Sequence, residues 1–256
     1  VSPPPLQLMH TARLPRRRLI LAGFLSAIAS AAGYSATRLL SESSPELTTL
    51  DLGLGRRVAL VADLHIHRQG EDHAEGAIRV LEKSTPEFFI LGGDMMDEQT
   101  VEPRALAWFL RQLNAGPGYA VLGNHEYWSA RVEETVEVLR QFGVRTLRDE
   151  AVSTPFGRLL GIDWRESRDY GYWRFSGLVV VHDPNAADHI QGDATILAGH
   201  THGGIVLMGQ PIYSNSRYAR GLYRLASGTI LYVSRGVGQM AHQPRINSPP
   251  EILLLE

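Results

Sequence analysis

From residue 57 onward the chain alternates short apolar runs with stretches of helical period. "RVALVAD" (57–63) is an apolar run that ends in a carboxylate. "HAEGAIRVLEKS" (73–84) places Ala74, Ala77, Ile78 and Leu81 at i, i+3, i+4 and i+7, which predicts an amphipathic helix. "EFFILGGD" (87–94) is the next predicted strand. "EPRALAWFLRQLN" (102–114) predicts a helix with Pro103 near its first turn and Leu106, Phe109, Leu110 and Leu113 on one face. "YAVLGNHE" (119–126) predicts a third strand. Ser129 is expected to cap a further helix that turns Val132, Val136, Leu139 and Phe142 inward and stops at Gly143. After that the runs are strand-like: "RLLGIDW", "GLVVVHD", "ATILAGH", "GIVLMG", "TILYVSRG" and "EILLLE". Helices early and strands late predict an α/β start that continues into a second, mixed sheet.

The polar residues that interrupt this pattern fall in a regular place. Asp63, Asp94, Asn124, His182 and His200 each follow directly on an apolar run. In open α/β sheets ligands bind outside the carboxyl ends of strands, so these side chains are expected to converge on one sheet edge. In "AGHTHGG" (198–204), His200 and His202 are two residues apart, the spacing that puts both on one face of extended chain.

Composition narrows the chemistry. The 256 residues suffice for one large domain with a sizeable core. The formal net charge of -2 gives no electrostatic reason to expect nucleic acid. Cysteine is absent, which excludes disulfides, thiolate metal sites and a cysteine nucleophile. "HEYWS" lacks the second histidine of a zincin, and neither a Walker loop nor G-x-S-x-G occurs. The N-terminus differs from the rest: Arg16, Arg17 and Arg18 precede 19 uncharged residues, Leu19 to Thr37. That layout, with Ala29-Ser30-Ala31 behind it, reads as a twin-arginine-like export signal or a membrane anchor over residues 1–40. Residues 41–55 read as a linker, and 56–256 as the folded domain.

The blocks Asp63-Leu64-His65, Gly92-Gly93-Asp94-Met95-Met96-Asp97, Gly123-Asn124-His125-Glu126, His182-Asp183 and Gly199-His200-Thr201-His202, in this order, resemble the calcineurin-like metallophosphoesterase superfamily. "RYARGLY", "LYVSRGVG" and "PRINSPPEILLLE" extend the likeness to an exported or membrane-anchored bacterial and archaeal subfamily, similar to UDP-2,3-diacylglucosamine hydrolase-type enzymes. The resemblance implies an α/β fold built as a four-layer α/β/β/α sandwich of two mixed sheets with flanking helices. It also implies a dinuclear centre. One metal would lie between Asp63, His65, Asp94 and His202, the second between Asp94, Asn124, His182 and His200, with Asp94 shared. A hydroxide bridging the metals would attack the phosphorus of a diester, pyrophosphate or monoester. His125 would serve the leaving oxygen, with Asp97 as the carboxylate that orients it. Mixed N/O ligation suits Mn, Fe, Zn or Co better than Ca or Mg. The expected partners are a phosphoester substrate of lipid- or nucleotide-linked type and, through the N-terminal segment, the extracytoplasmic membrane surface. No nucleic acid is expected, and the chain is expected to be a monomer. A nuclease and a non-catalytic scaffold of the same fold are the competing readings.

Several residues near the blocks carry weaker expectations. His67, Arg68 and His73 fit a solvated loop. Arg235 and Arg245 fit either a substrate anion or an ion pair. Asp183 could orient His182 or open the Asp-Pro turn, and Tyr127 and Trp128 could form a platform or an ordinary core contact. Gly203 and Gly204 are expected to leave room for phosphate. The link "RESRDYGYWRFS" (165–176) is short and aromatic where relatives are expected to carry a longer insert.

Overall fold

The computed structural model describes residues 44–256, apart from 103, 114–116, 240–244 and 246. The first half lays down strands β1 (Glu46–Leu50), β2 (Val58–Val61), β3 (Phe88–Gly92), β4 (Gly118–Val121) and β5 (Val144–Thr146). Between them run helices α1 (Asp72–Ser84), α2 (Arg104–Gln112), α3 (Asn124–Trp128) and α4 (Val132–Gln141). The second half adds β6 (Glu150–Thr154), β7 (Gly157–Ile162), β8 (Trp173–Arg174), β9 (Gly177–Val181), a 3-10 helix (Pro184–His189), β10 (Ile190–Gln191) and β11 (Ala194–Ala198). The chain ends with β12 (Ile205–Leu207), β13 (Gln210–Tyr213), β14 (Gly221–Arg224), β15 (Ile230–Val233) and β16 (Glu251–Leu255).

Two six-stranded mixed sheets result. The first has the order β1-β16-β2-β3-β4-β5, the second β14-β15-β11-β9-β7-β6. Strands β2 to β5 pair in parallel, as the helical crossovers between them require. The period of two explains why the strands read as unbroken apolar runs. Val58 and Leu60 join a core layer that also holds Leu178, Val180 and Leu197 from the second sheet. Ala59 and Val61, one residue out of phase, pack under α1 and α2 with Ala77, Leu106 and Phe109. Val179, Val181, Ile196 and Ala198 face the opposite side of the second sheet. Both faces of each central strand are therefore buried, and each fully buried Leu or Val contributes roughly 1.5–3 kcal/mol. The outermost layer over the second sheet is thin. It consists of the 3-10 helix and the aromatic link, with Tyr170, Phe175, Ala186 and Ala187 packed on the strands.

Two local expectations are corrected. Residues 46–50, expected within a linker, form β1 and pair in parallel with β16, Glu46 opposite Glu251 and Leu50 opposite Leu255. Ser129 does not start α4. Its Oγ donates to the His125 carbonyl at 2.6 Å and closes the short helix α3, while α4 begins after Arg131. The expected export signal or anchor, residues 1–40, lies outside the described residues. Among the described residues no helix is long and apolar enough to cross a membrane.

Candidate metal centre

The C-terminal ends of five strands deliver the expected residues to one place. Asp63 follows β2, Asp94 follows β3, His182 follows β9, and His200 and His202 follow β11; Asn124 opens α3 just beyond β4. Asp63, His65 and His182 are completely buried, and Asp94, Asn124 and His200 nearly so. Five of the seven stand in the left-handed region: Asp63 at φ 52°, His65 at 44°, Asp94 at 52°, His200 at 76° and His202 at 50°. Such a conformation costs non-glycine residues on the order of 1–3 kcal/mol each, and it persists only where the surroundings enforce it. Here they do. Asp63 N–H donates to the Gly93 carbonyl at 3.0 Å, and His65 N–H to the Asp94 carbonyl at 3.0 Å. Glu126, completely buried, accepts from the backbone N–H groups of Gly123, Asp94, Met95 and Met96 at 2.6–3.1 Å. It thereby clamps the loop after β3 to the start of α3. Gly123 is the residue that fits between them, because a Cβ there would run into the Asp94 carboxylate.

The rings are fixed by their outer nitrogens. Nδ1 of His65 meets Asp97 Oδ2 at 2.9 Å, Nδ1 of His182 meets the Gly92 carbonyl at 2.8 Å, and Nδ1 of His202 meets the Gly238 carbonyl at 3.1 Å. Each of these bonds leaves Nε2 to face inward, the usual way a carbonyl or carboxylate orients a ligating imidazole. The imidazoles form two pairs: His65 stacks on His202 at 5.0 Å between centroids, and His182 meets His200 edge-on at 5.1 Å. Asp94 lies between the pairs. Its Oδ1 accepts the His125 N–H at 2.9 Å, while Oδ2 stands 2.9 Å from His182 Nε2 and 3.9 Å from His65 Nε2. Asp63 Oδ1 is 3.9 Å from His202 Nε2, and Asn124 Oδ1 is 3.2 Å from His182 Nε2. Asp63, His65 and His202 thus present ligand atoms within 4.8 Å of one another, as do Asp94, His182 and His200.

The electrostatics show what this cluster lacks. His65 Nε2 is buried with no hydrogen-bond partner, and an orphaned donor or acceptor of that kind costs about 1–3 kcal/mol. Burial pushes the Asp63 carboxyl up. Burial opposes ionisation of Asp94 too, but His182, His65 and His125 outweigh it and hold that carboxyl below the ordinary range. Burial would lower His182, yet the adjacent Asp94 carries it up to about 10. Burial, with charged His182 nearby, pushes His200 down to about 3. Without cations, then, a proton on His182 provides the positive charge that two buried carboxylates demand. Four imidazoles, two carboxylates and an amide oxygen are a donor set for divalent metal, and the orphaned His65 nitrogen fits the same purpose.

A model of the "Calcineurin-like phosphoesterase" family matches residues 56–204, the stretch that carries every one of these side chains. The chain belongs to the calcineurin-like phosphoesterases. An uncharacterized metallophosphoesterase of Aquifex aeolicus is 29% identical over 254 residues, covering 91% of this chain and 97% of that protein. A Danio rerio "Transmembrane protein with metallophosphoesterase domain" is 26% identical over 233 residues, 77% of this chain but only 52% of that protein. The crystal structure of the Pseudomonas putida nuclease MPE covers 75% of this chain and 80% of its own, at 18% identity and a TM-score of 0.43.

Around the ligand set this phosphoesterase departs from expectation. Asp97 does not orient His125. It is shared by His65 Nδ1 and, at 3.1 Å, His67 Nε2. His125 Nδ1 instead meets Glu98 Oε2 at 2.8 Å. The reason is local geometry: Asp97 N–H is bonded to Thr100 Oγ1, which is itself tied to the Ile66 carbonyl, and this turns Asp97 toward the loop after β2. His67 is accordingly no solvated loop residue; its bonds to Asp97 and Glu71 raise it to about 9. His73 Nε2 donates to the Leu64 carbonyl at 3.0 Å. Arg235 forms an ion pair with Glu46 and Glu251, and Arg245 is buried on backbone carbonyls of Arg235 and Gly238. Asp183 opens the Asp-Pro turn by accepting the Asn185 N–H. Gly203 does not clear space for phosphate: it has φ 74°, and a Cβ there would strike Ser248 and Arg235.

The rim of the phosphoesterase site was the part sequence reasoning largely missed. Trp128 is half exposed and lies 5.1 Å from the His125 ring; Trp164 lies 5.4 Å from His200 and 6.3 Å from Trp128. Both indole N–H groups donate to Glu166 Oε2, at 2.8 and 3.3 Å. Tyr127 turns away to Asp163. For Glu126 a signal existed: it stands three residues after Gly123, where a glutamate reaches back to the N–H that precedes a helix. For Glu98 and Arg168 there was none.

Proposed function

We propose that this chain is a dinuclear metal-dependent phosphoester hydrolase. The observation that carries the reading is the placement of Asp94 Oδ2 between two imidazole pairs, within 3.9 Å of both His65 and His182. Asp63, His65, Asp94 and His202 would hold one cation, and Asp94, Asn124, His182 and His200 the other. Two divalent cations there, drawn from Mn, Fe, Zn or Co on this N/O donor set, would supply Lewis acidity toward phosphoryl oxygens and an activated water as nucleophile.

The chain's own residues do the rest. The Nδ1 bonds of His65, His182 and His202 pre-orient the ligand nitrogens, so little is spent on ordering them. His125 presents Nε2 to the leaving oxygen, and the Glu98 carboxylate on Nδ1 fixes the orientation of the ring. Trp128 and Trp164 line one side of the site beside His125 and His200. The substrate is a phosphoester, pyrophosphate or diester, and lipid- or nucleotide-linked compounds are the class the resembling subfamily suggests. Residues 1–40 would act as an export signal or anchor that places a monomeric domain on the extracytoplasmic membrane face; exchange of Arg17 and Arg18 for lysine should then retain the protein inside the cell.

The test of the centre is metal stripping by chelator, reloading with each candidate ion, and measurement of bound metal and turnover of aryl phosphate esters. Two equivalents of metal per chain with turnover are expected. A single equivalent, or full loading without hydrolysis of any ester, overturns the reading.

A further inference from the structure

Arg168 lies in the short aromatic link, outside every sequence block that marks the site. Its backbone stands at φ 54° in a tight turn closed by its own N–H on the Arg165 carbonyl at 2.9 Å. A left-handed arginine is disfavoured, and here it sends the side chain to the metal centre. The guanidinium is held from four directions. Nε is 3.6 Å from the buried Asp183 carboxylate, one terminal nitrogen donates to the Asn215 carbonyl at 3.2 Å, the other is 3.2 Å from His200 Nε2, and the carbon sits 5.7 Å over the Trp164 ring. The side chain nevertheless remains 39% exposed. Guanidinium offers five N–H donors, so about two remain for a ligand.

His200 adds to this. Its Nε2 is engaged by Arg168 and by the Asn215 amide, also at 3.2 Å, which leaves Nδ1 as the nitrogen for a metal. A neutral imidazole ligating through Nδ1 carries its proton on Nε2. Asn215 can turn its amide oxygen to that proton. Arg168 can only donate, so it loses this partner and gains a further free N–H.

We infer that Arg168 reads the charge of the phosphoryl group and makes this site prefer a dianionic terminal phosphate, that of a monoester or a pyrophosphate end, over a diester. The inference rests on the hydrolase reading above. Phosphorus in a diester has one leaving oxygen, one esterified oxygen and two non-bridging oxygens, and two cations account for the last two. A terminal phosphate has a third anionic oxygen in place of the ester. A guanidinium beside His200 meets that oxygen with charge-assisted hydrogen bonds, whereas a diester would present it with a neutral ester oxygen and an added substituent.

The experiment compares the metal-loaded full chain with Arg168→Ala and Arg168→Lys, using p-nitrophenyl phosphate and bis(p-nitrophenyl) phosphate, with calorimetric titration of inorganic phosphate as a second readout. In Arg168→Ala, kcat/KM for the monoester should fall by about 10–100-fold, as loss of a charged hydrogen bond predicts. The diester should change by less than about threefold on the same scale. Phosphate affinity should fall with the monoester rate, and Arg168→Lys should recover part of both. Equal losses on both esters at unchanged metal content, or an unchanged monoester rate and phosphate affinity, would overturn the inference. If the wild-type protein turns over neither ester, the hydrolase reading fails, and the phosphate titration alone still decides whether Arg168 is an anion site.

Discussion

The floor of the site and its rim are held in place by different means. On the floor, His65, His182 and His202 are each pinned through Nδ1 to a carboxylate or carbonyl that belongs to a strand end or the loop beside it. On the rim, Trp128 and Trp164 hang from the Glu166 carboxylate, and Arg168 from the Asp183 carboxylate and the Asn215 backbone carbonyl. The floor is therefore as rigid as the sheets beneath it, and the rim can be rebuilt by changing one link. A division of labour follows, with the chemistry on the floor and the choice of substrate on the rim. Substitutions that separate metal loading, rate and selectivity test it.

The largest effect belongs to the carboxylate shared by both imidazole pairs. Asp94→Asn removes a buried charge from a set that depends on it, and breaking such a pair costs about 3–5 kcal/mol, or roughly 10²–10⁴ in metal affinity. Elemental analysis should show metal loss at concentrations that saturate the wild type, with turnover lost in step. Full loading by the variant would break the picture of Asp94 as the shared ligand. His125→Ala comes next. The proposed general acid should contribute about 10²–10⁴ in kcat; His125 stands within ligand distance of His65 and Asp94 but outside the proposed ligand set, so metal content should stay the same. A variant that loses metal as well would move His125 onto the floor.

Asp97 and Glu98 are neighbours in sequence that serve different rings, so they separate cleanly. Asp97→Asn weakens the orientation of His65 and should cost 10–100-fold in metal affinity, the usual scale for such outer partners. Glu98→Gln should leave metal affinity alone and lower kcat, because the ring of His125 loses the carboxylate that orients it. Were the two phenotypes exchanged, the original expectation that Asp97 orients His125 would be restored.

This pair shows where legibility in the sequence ended. The floor residues could be named because each follows an apolar run, and strand ends in an α/β sheet converge. The sheets could be named because period-two burial gives Val58, Leu60, Ala59 and Val61 opposite faces of one strand. Which carboxylate reaches which ring, however, depends on a loop conformation that Thr100 sets through its bonds to Asp97 and Ile66. Residue type and spacing do not encode that. The same holds for β1, whose sequence looked like a linker because an edge strand buries little and needs no apolar alternation. Arg168 was invisible because its role comes from one left-handed turn in the link.

The charge on the floor also predicts a pH signature. In the metal-free chain His182 lies at about 10, above its unfolded value, because Asp94 outweighs burial. A raised histidine contributes stability that is complete below pH ~6.5 and is lost as pH rises through the folded value. Glu126, raised to about 7 by burial and by Asp94, has the same sign: its contribution fades from pH ~4.3 through 7. His200, pushed down to about 3, has the opposite sign below pH ~6.5, so the thermal midpoint of the stripped protein should fall between about pH 7 and 10, and metal should flatten the curve by taking the place of the proton on His182. A stripped protein equally stable at both ends would contradict the proton's role as a stand-in for metal.

The smallest effect lies under the rim. Tyr170 is buried and donates to Asp183 Oδ2 at 3.2 Å, beside the Arg168 Nε. Tyr170→Phe keeps the ring that packs on the second sheet and removes only the hydroxyl. Asp183 retains the Asn185 N–H and Arg168, so the loss is one hydrogen bond among several, about 1 kcal/mol of stability by chemical denaturation. Metal content should not change, since no floor residue touches Tyr170 through that bond. If the monoester-to-diester ratio shifts while metal and stability stay near wild type, the rim is softer than the floor and Asp183 is the hinge of its selectivity. If metal affinity drops instead, floor and rim are mechanically one unit, and the division between them fails.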